Sequence, residues 1–215
     1  MANDAAAFLE EPGLWVQVLC EPGQYAGRAA LFLDRDGTIN VDTGYPDNPD
    51  DLVLHETVLP VIRTANALGL PVIVVTNQSG IARGYFGWSE FALVTDRLLA
   101  LLDAEGCKID MMIACAYHDA GEPPLAVADH PMRKPNPGML TRAGDLLGID
   151  LAASVIVGDK MSDIEAGHRA GLASGWLVHA PGDGAGGEAG DGFVRQLETA
   201  ADCDALCAEL RQRAI

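Results

Sequence analysis

Two aspartates one residue apart follow an apolar run near the start of the chain. Asp34 and Asp36 come directly after residues 29–33, and the sequence continues with Gly37 and Thr38. At the end of a buried strand, one carboxylate can attack a phosphorus atom while the other transfers a proton. The alternative is a turn, because Asp-Gly sequences are common where the backbone reverses. The pair therefore predicts phosphoryl-transfer chemistry, with a turn left open.

Hydroxyl and amide side chains follow a second apolar run. Thr76, Asn77, Gln78 and Ser79 come directly after residues 71–75. A threonine hydroxyl can donate to a phosphoryl oxygen, and the backbone N–H groups that follow can bind the rest of an anion. A helix N-cap and turn would explain the same residues equally well. The segment is therefore a candidate phosphate-binding site with a structural alternative.

Two adjacent cations precede a pair of prolines. Arg133 and Lys134 are followed by Pro135 and Pro137, which stiffen the loop. A fixed lysine can neutralise charge on a nucleophile and on a phosphoryl group, and an arginine can bind substrate oxygens through two parallel hydrogen bonds. A solvated basic pair is the alternative, but the chain has only 14 Lys+Arg against 31 Asp+Glu. The pair therefore indicates an anion site.

Two further aspartates lie at the end of a later apolar run. Asp159 follows residues 154–157 and Gly158, and Asp163 lies four residues further on, in the next helical turn. Carboxylates so placed can bind Mg²⁺ directly or hold its waters. For Asp163 the alternative is a first-turn residue that interacts favourably with the helix dipole. We expect Asp159 to be a metal ligand and Asp163 to support it.

The elements that must position these residues alternate along the chain. Short, nearly continuous apolar runs predict strands, and the amphipathic stretches between them predict helices. This pattern is typical of an α/β protein with a doubly wound, three-layer parallel sheet. Ligands bind such sheets at the carboxyl ends of the strands, where every motif above falls. The predicted strands are 29–33, 71–76, 109–116, 154–157 and 175–179, and the predicted helices are 58–68, 89–104, 138–147, 162–170 and 193–213.

The spacing of the motifs leaves no room for a large cap domain. We expect residues 1–28 to be an extension packed on the core, residues 29–180 to be the catalytic domain, and residues 181–215 to be a Gly-rich loop and last helix of that same domain. With no mobile lid, loops 80–87 and 117–132 must shape the pocket and limit the access of water.

Composition excludes some partners. A chain of 215 residues with 49% hydrophobic residues can build one good-sized core, and its formal charge of −17 argues against nucleic-acid binding. No apolar stretch reaches the roughly 20 residues needed to span a bilayer, and the N-terminus does not resemble a signal peptide. We therefore expect a cytoplasmic protein, without a membrane partner, that acts on a small phosphorylated metabolite. The oligomeric state stays open, with a monomer as the simplest expectation.

The four motifs, in this order, closely resemble those of the haloacid dehalogenase (HAD) superfamily of phosphatases. The resemblance extends over residues 29–180. It implies a HAD-like Rossmannoid fold in which Asp34 is the nucleophile that forms an aspartyl-phosphate, while Asp36 protonates the leaving group and later activates water. It also implies that Thr76 and Lys134 stabilise the transferring group, and that Mg²⁺ lies among Asp34, the backbone carbonyl of Asp36, and Asp159.

Longer stretches resemble one branch of that superfamily. Residues 34–40, 44–45, 76–86 and 133–139 are similar to the D-glycero-D-manno-heptose 1,7-bisphosphate 7-phosphatase family, whose close relative is histidinol-phosphate phosphatase. The resemblance implies Mg²⁺-dependent hydrolysis of a small sugar phosphate, with histidinol phosphate or another metabolite as the alternative substrate. A non-catalytic phospho-ligand-binding protein is the alternative of a different class. The residues implied to contact substrate are Asp42, Gly44, Tyr45, Asn77, Gln78, Ser79, Arg133 and Lys160.

The sequence departs from this family at one loop. Members often bind a structural zinc there through a Cys-x-His pair and a Cys-x-Cys pair just before the Arg-Lys-Pro sequence. Here only Cys115 remains at a ligand position, and Tyr117, His130 and Met132 occupy the other three. Cys115, His118 and His130 could in principle form an altered site. Structural zinc sites use four ligands, and tyrosine and methionine are poor ones. We therefore expect no structural zinc, with these three residues as weak candidate ligands.

Overall fold

The computed structural model describes residues 5–42, 49–178 and 192–214 of the chain. Its centre is a sheet of eight strands in the order β1-β2-β5-β4-β3-β6-β7-β8. The strands are β1 (Leu9–Glu11), β2 (Leu14–Val18), β3 (Leu31–Leu33), β4 (Val72–Asn77), β5 (Met111–Cys115), β6 (Val155–Gly158), β7 (Ser174–Val178) and β8 (Val194–Leu197).

Helices cover both faces of this sheet. They are α1 (Leu59–Ala67), α2 (Ser79–Ala82), α3 (Trp88–Ala104), α4 (Gly138–Leu147), α5 (Met161–Arg169) and α6 (Ala200–Arg213). Short 3₁₀ helices span Ala5–Phe8, Pro49–Asp51 and Leu151–Ala153.

Alternate side chains of the strands enter two separate cores. Leu31 and Leu33 of β3 pack with α1, α3 and α6 on one face, whereas Phe32 between them packs with α4 on the other. This alternation follows from the two-residue period of a strand, and both faces are buried because both carry helices. The three-layer α/β architecture predicted from the apolar runs is therefore confirmed. The described residues include no separate cap domain.

The N-terminal segment does more than pack on the core. Strand β2 pairs antiparallel with β5, with Leu14 opposite Cys115, and β1 continues the sheet from β2. The sheet is therefore parallel from β5 to β8, with two antiparallel strands added at one edge. The boundaries of the domains, including the assignment of residues 29–180, stay a prediction.

Two local predictions were wrong. Residues 193–197 do not begin the last helix, because Val194–Leu197 form an edge strand parallel to β7. The helix begins at Ala200, where Thr199 is its N-cap and accepts a hydrogen bond from the Asp202 N–H. Residues 80–82, expected within the loop 80–87, belong to a short helix, Ser79–Ala82, whose Ile81 and Ala82 are buried. The Gly-rich segment 182–190 lies outside the described residues.

The order of strands places the motifs together. β3 lies between β4 and β6, with Leu33 aligned to Val74 on one side and to Val157 on the other. Because the three strands are parallel, the residues that follow them meet at one edge of the sheet. None of the described helices has both the length and the apolar composition needed to cross a membrane.

Candidate active site

A polar cavity of about 310 Å³ opens at the carboxyl ends of β3, β4 and β6. Its walls carry most of the side chains singled out in the sequence, and they add one residue that the motifs did not indicate, Ser162. The residues that line it are Asp34, Asp36, Asp42, Thr76, Asn77, Gln78, Ser79, Gly80, Lys134, Lys160, Ser162 and Asp163.

Lys134 lies at the centre of this cavity's floor. Its Nζ is 2.7 Å from Asp34 Oδ1, 2.7 Å from Asp163 Oδ1 and 2.7 Å from the carbonyl oxygen of Val75, so each ammonium proton has an acceptor. Asn77 fixes the backbone of Lys134 with two hydrogen bonds, donating to its carbonyl and accepting from its N–H. The cation is therefore held beside Asp34 by the end of β4.

The environment of Asp34 disfavours its charge. Its residue is only 5% exposed, and burial raises the pKa of its carboxyl, with Asp163, Asp159 and Asp36 adding to the rise and Lys134 opposing it. Because the pKa of Asp34 stays raised, the charge of Lys134 does not compensate for burial and for the neighbouring carboxylates. A carboxylate must be ionised to act as a nucleophile. A further cation at this place would favour the reactive form of Asp34.

Asp36 has the opposite electrostatic character. Its carboxylate accepts hydrogen bonds from Arg35 Nε (2.9 Å) and Nη2 (2.7 Å), from Asn40 Nδ2 (3.1 Å) and from Gln78 Nε2 (2.8 Å). Burial raises the pKa of this carboxyl. The charge and hydrogen bonds of Arg35, with those of Asn40 and Gln78, lower it by more, so the pKa of Asp36 lies below its usual value. The described structure therefore holds Asp36 as the anion, the form that accepts a proton.

Gln78 connects the second aspartate with the predicted phosphate site. The same Nε2 that donates to Asp36 lies 2.9 Å from Thr76 Oγ1, and both Gln78 and Thr76 are buried. Gln78 was predicted as a substrate contact, and its bridge between the two motifs is a finding of the structure. Asn40 and Arg35 were not singled out in the sequence, because only their proximity to Asp36 in space reveals them.

The carboxylates at this edge fit a divalent cation. Asp34, Asp159 and Asp163 each offer an oxygen, and these oxygens lie within 4.8 Å of one another. Asp159 Oδ1 is buried and has no hydrogen-bond partner among the described residues. Oxygen ligands, several of them anionic, are what Mg²⁺ prefers. The donor set therefore suits Mg²⁺, and the unsatisfied oxygen of Asp159 is an atom that such an ion would satisfy.

Two glycines allow these carboxylates to come so close. Gly37 has φ +86°, a left-handed conformation, and a Cβ there would collide with the carboxylate of Asp159. A Cβ on Gly158 would collide with the side chain of Asp163 in the same way. The glycine after the first motif is thus required by the packing of a predicted metal ligand, as well as by a turn.

Asp163 combines two of the roles considered for it. Its Oδ1 pairs with Lys134, and its Oδ2 accepts the N–H of Lys160 (3.0 Å) at the first turn of α5. Both of its oxygens therefore have protein donors. The arrangement suits a residue that supports Lys134 and the metal site, while Asp36 lies outside the carboxylate group and its expected backbone ligation stays a prediction.

The predicted substrate contacts divide between two cavities. Lys160 extends over the main cavity, with Nζ 3.4 Å from Asp159 Oδ2 and 3.8 Å from Asp42 Oδ2. Arg133 lines a neighbouring cavity of about 230 Å³ together with Asp119, and its Nη1 donates to the Tyr117 carbonyl. Gly44 and Tyr45 lie outside the described residues. The contacts of all these residues with substrate stay predictions.

The three weak zinc candidates have other partners. Cys115 is buried in β5, and burial raises the pKa of its thiol to about 11. His118 Nε2 lies 3.1 Å from Arg83 Nη2, and His130 stacks on Tyr117 with 3.9 Å between ring centroids. Within the described ranges, the group of metal-binding side chains that the structure brings together is the carboxylate group at β3 and β6. The expectation of no structural zinc stays a prediction.

The chain is similar in sequence to known proteins. The profile of one protein family, Hydrolase_like ("HAD-hyrolase-like"), matches residues 131–186. A curated relative from Mesorhizobium japonicum, named D-glycero-beta-D-manno-heptose-1,7-bisphosphate 7-phosphatase, is 61% identical over 176 residues, which are 79% of this chain and 78% of the relative.

Two solved structures share the fold. A HAD-like phosphatase from Mesorhizobium loti matches with a TM-score of 0.89 and 55% identity, covering 95% of this chain and 96% of its own. A D,D-heptose 1,7-bisphosphate phosphatase from B. bronchiseptica, complexed with magnesium and phosphate, matches with a TM-score of 0.69 and 28% identity, covering 86% of this chain and 98% of its own.

Proposed function

We propose that this chain, which belongs to the D-glycero-D-manno-heptose 1,7-bisphosphate 7-phosphatase family of the HAD superfamily, removes the 7-phosphate of the β-anomer of that bisphosphate. The chain is a phosphomonoesterase, and the substrate is the part we propose. One observation carries the proposal: a buried Asp34 paired with Lys134 lies beside an unsatisfied carboxylate oxygen of Asp159, in a polar cavity of small-molecule size. The choice of anomer rests on the name of the 61% identical relative.

In the first step Asp34 is the nucleophile. One of its carboxylate oxygens forms a bond to the phosphorus atom while the bond from phosphorus to the sugar oxygen breaks. That oxygen takes the proton from Asp36, which must be protonated at this stage, and the sugar leaves as an alcohol. Lys134 and the Thr76 hydroxyl compensate the negative charge on the phosphoryl oxygens as the bond changes.

In the second step Asp36 is the base. Its carboxylate takes a proton from a water whose oxygen bonds to phosphorus, and the bond between phosphorus and Asp34 breaks to release inorganic phosphate. The four N–H donors around Asp36 stabilise this anionic form. These hydrogen bonds support the proposed role of Asp36 as a base in the second step. In the first step, the proton on Asp36 must take the place of one of those donors.

Mg²⁺ bound by Asp34 and Asp159, with Asp163 as support, would supply a positive charge that offsets the phosphoryl oxygens and favours the ionised form of Asp34. The protein's own contribution is to hold these carboxylates close together despite their repulsion. Lys134 and Lys160 reduce that repulsion from two sides. This preorganisation lowers the cost of assembling charge in the transition state.

The cavity supports a compact and polar substrate. Its volume of about 310 Å³ lies at the lower end of small-molecule sites, and Lys160, Asn77 and Ser79 stand at its wall. These residues can donate to sugar hydroxyls and to phosphate oxygens. No large lid is present among the described residues, and we assign part of substrate recognition to these wall residues.

A panel of phosphorylated metabolites tests the proposal. We expect the highest kcat/KM for the β-anomer of heptose 1,7-bisphosphate, lower values for the α-anomer, and still lower values for histidinol phosphate. Phosphorus NMR of the product should show that the 1-phosphate is retained. Preference for histidinol phosphate, or loss of the 1-phosphate, would contradict the proposed substrate, and binding without turnover on every compound would indicate a phospho-ligand-binding protein.

A further inference from the structure

Arg35 lies between the two catalytic aspartates in sequence but does not line the cavity. Its side chain is 1% exposed and turns away from the cavity into the protein. There it contacts Asp36 through two parallel hydrogen bonds, from Nε and from Nη2. A buried arginine in this fork geometry fixes both the place and the rotation of the carboxylate that it binds.

An aromatic cluster fixes Arg35 in turn. Its guanidinium lies over the ring of Phe91, with the central carbon 5.3 Å from the ring centroid. Phe91 contacts Trp15 of β2 and Trp88 of α3, each with 5.3 Å between centroids. Cation–π contacts are stronger where water is excluded, as it is here. The direction of Arg35 is therefore set by Phe91 of α3, which Trp15 of β2 and Trp88 support in turn.

The third nitrogen of Arg35 shows that this placement is costly. Arg35 Nη1 is buried and has no hydrogen-bond partner within the described residues. An unsatisfied buried donor destabilises the fold by about 1–3 kcal/mol. An arginine that served stability alone would gain more from a site where all its donors are satisfied. The arrangement instead favours the two nitrogens that contact Asp36.

We propose that Arg35 is a positioning residue that holds the Asp36 carboxylate where it exchanges protons with the leaving oxygen and with water, and that Phe91 holds Arg35. This inference rests on the proposed roles of Asp36. Proton transfer requires donor and acceptor within hydrogen-bond reach, and a displacement of about 1 Å can cost about 100-fold in rate. Asn40 and Gln78 also bind Asp36, but each gives a single hydrogen bond without charge.

The leaving group separates positioning from general damage. A sugar alkoxide needs a proton to leave, whereas p-nitrophenolate leaves without one, yet both substrates form the same phosphorylated Asp34. Variants that displace Asp36 should therefore slow the first step only for the sugar phosphate, and the second step for both. With p-nitrophenyl phosphate, slow water attack after fast phenolate release appears as a burst.

The variants are Arg35→Lys, Arg35→Met and Phe91→Leu, compared with wild type on heptose bisphosphate and p-nitrophenyl phosphate. We expect Arg35→Lys to lower kcat on the sugar about 10- to 100-fold with KM changed less than about threefold, and to give a burst near one phenolate per active site. Arg35→Met should do the same more strongly, and Phe91→Leu more weakly. The Lys and Leu variants keep the test valid if the Met variant does not fold.

Arg28→Met is the matched control. Arg28 is part-buried and donates to a backbone carbonyl, that of Leu68, near the amino ends of β3 and β4, away from the cavity. Arg28→Met should lower the thermal midpoint. Both kcat values should stay unchanged, and no burst should appear. Equal losses on both substrates without a burst in the Arg35 variants would overturn the inference. Inactivity of the wild type on every phosphate ester would instead contradict the proposed function.

Discussion

One buried ionic cluster surrounds Lys134 at the ends of β3 and β4, and another surrounds Glu209 of α6 beside β7. Glu209 is 6% exposed and accepts hydrogen bonds from Ser174, Trp176, Arg195 and Arg213. Burial raises the pKa of its carboxyl. Hydrogen bonds from Arg213 and Ser174 and the charges of the two arginines lower it by more, so the pKa of Glu209 lies below its usual value. This cluster contains one carboxylate and two arginines, and the protein alone satisfies it.

The cluster around Lys134 is charged the other way. It brings Asp34, Asp159 and Asp163 together. Burial raises the pKa values of Asp34 and Asp159, and the charge of Asp163 raises both further. Asp159 Oδ1 has no hydrogen-bond partner in the described part of the chain. An unsatisfied buried oxygen such as this one is available to a ligand, whereas both carboxylate oxygens of Glu209 already have protein donors. The difference teaches that burial of charge alone does not identify an active site.

The largest effect should come from Asp34→Asn. The amide cannot attack phosphorus, so we expect kcat on heptose bisphosphate to fall by about 10⁴-fold or more, while the thermal midpoint stays within a few degrees. Phosphate release and calorimetry measure the two. Residual activity above about one percent would show that another group is the nucleophile. The cluster around Lys134 would then no longer be the functional counterpart of the cluster around Glu209.

Glu209→Gln should show the reverse pattern. Loss of the charge that pairs with Arg195 and Arg213 should lower the free energy of unfolding by about 2 kcal/mol, with kcat/KM unchanged within about twofold. Urea unfolding and the phosphatase assay measure the two. Glu165→Gln, which removes an exposed pair with Arg169, is the control and should change stability by less than about 0.5 kcal/mol. A stability change as small as in that control would break the contrast.

Mg²⁺ should stabilise the folded chain by binding the cluster around Lys134, where Asp159 Oδ1 is unsatisfied, and not the cluster around Glu209. At tenfold its dissociation constant, a ligand that binds only the folded chain adds about 1.4 kcal/mol to the free energy of unfolding. We therefore expect added Mg²⁺ to raise the thermal midpoint of wild type and of Glu209→Gln, but not of Asp159→Asn. This readout does not depend on turnover. An equal rise in all three proteins would place the ion elsewhere.

The smallest effect concerns pH. A glutamate whose pKa is lowered by folding stabilises the protein at pH values above its unfolded pKa of about 4.3, and that contribution disappears as the pH falls through the lowered value. The difference in free energy of unfolding between wild type and Glu209→Gln should therefore be constant from about pH 7 to 5 and shrink below that. A difference that grows on acidification would mean that Glu209 is not held as an anion.

The sequence predicted which side chains of the candidate site lie together, because most of them follow strands. Asp34, Thr76 and Asp159 each come after a recognisable apolar run, and parallel strands bring such residues together whatever the loops between them do. Lys134 could be found from its proline-flanked loop. The residues of the candidate site are therefore encoded locally, next to the elements that position them.

The structural cluster and the support of Asp36 could not be predicted in that way. Glu209 meets Ser174 and Trp176 across a stretch that includes the Gly-rich segment, and nothing in its own neighbourhood indicates a buried position. Arg35 is beside the motif, but its direction depends on Phe91 and Trp15, which are distant in sequence. Strand β8 was missed because four residues carry too little periodicity to distinguish a strand from the first turn of a helix.

The pairing of β2 with β5 also bears on self-association. Met111–Cys115 are entirely apolar, and without Leu14–Val18 beside them the N–H and C=O groups along one side of β5 would lack partners. An open, hydrophobic strand edge is a template on which another chain can add. The N-terminal hairpin closes that edge and ends the sheet with β1, a three-residue strand carrying two glutamates. The hairpin thereby makes this edge of the sheet a poor template for aggregation.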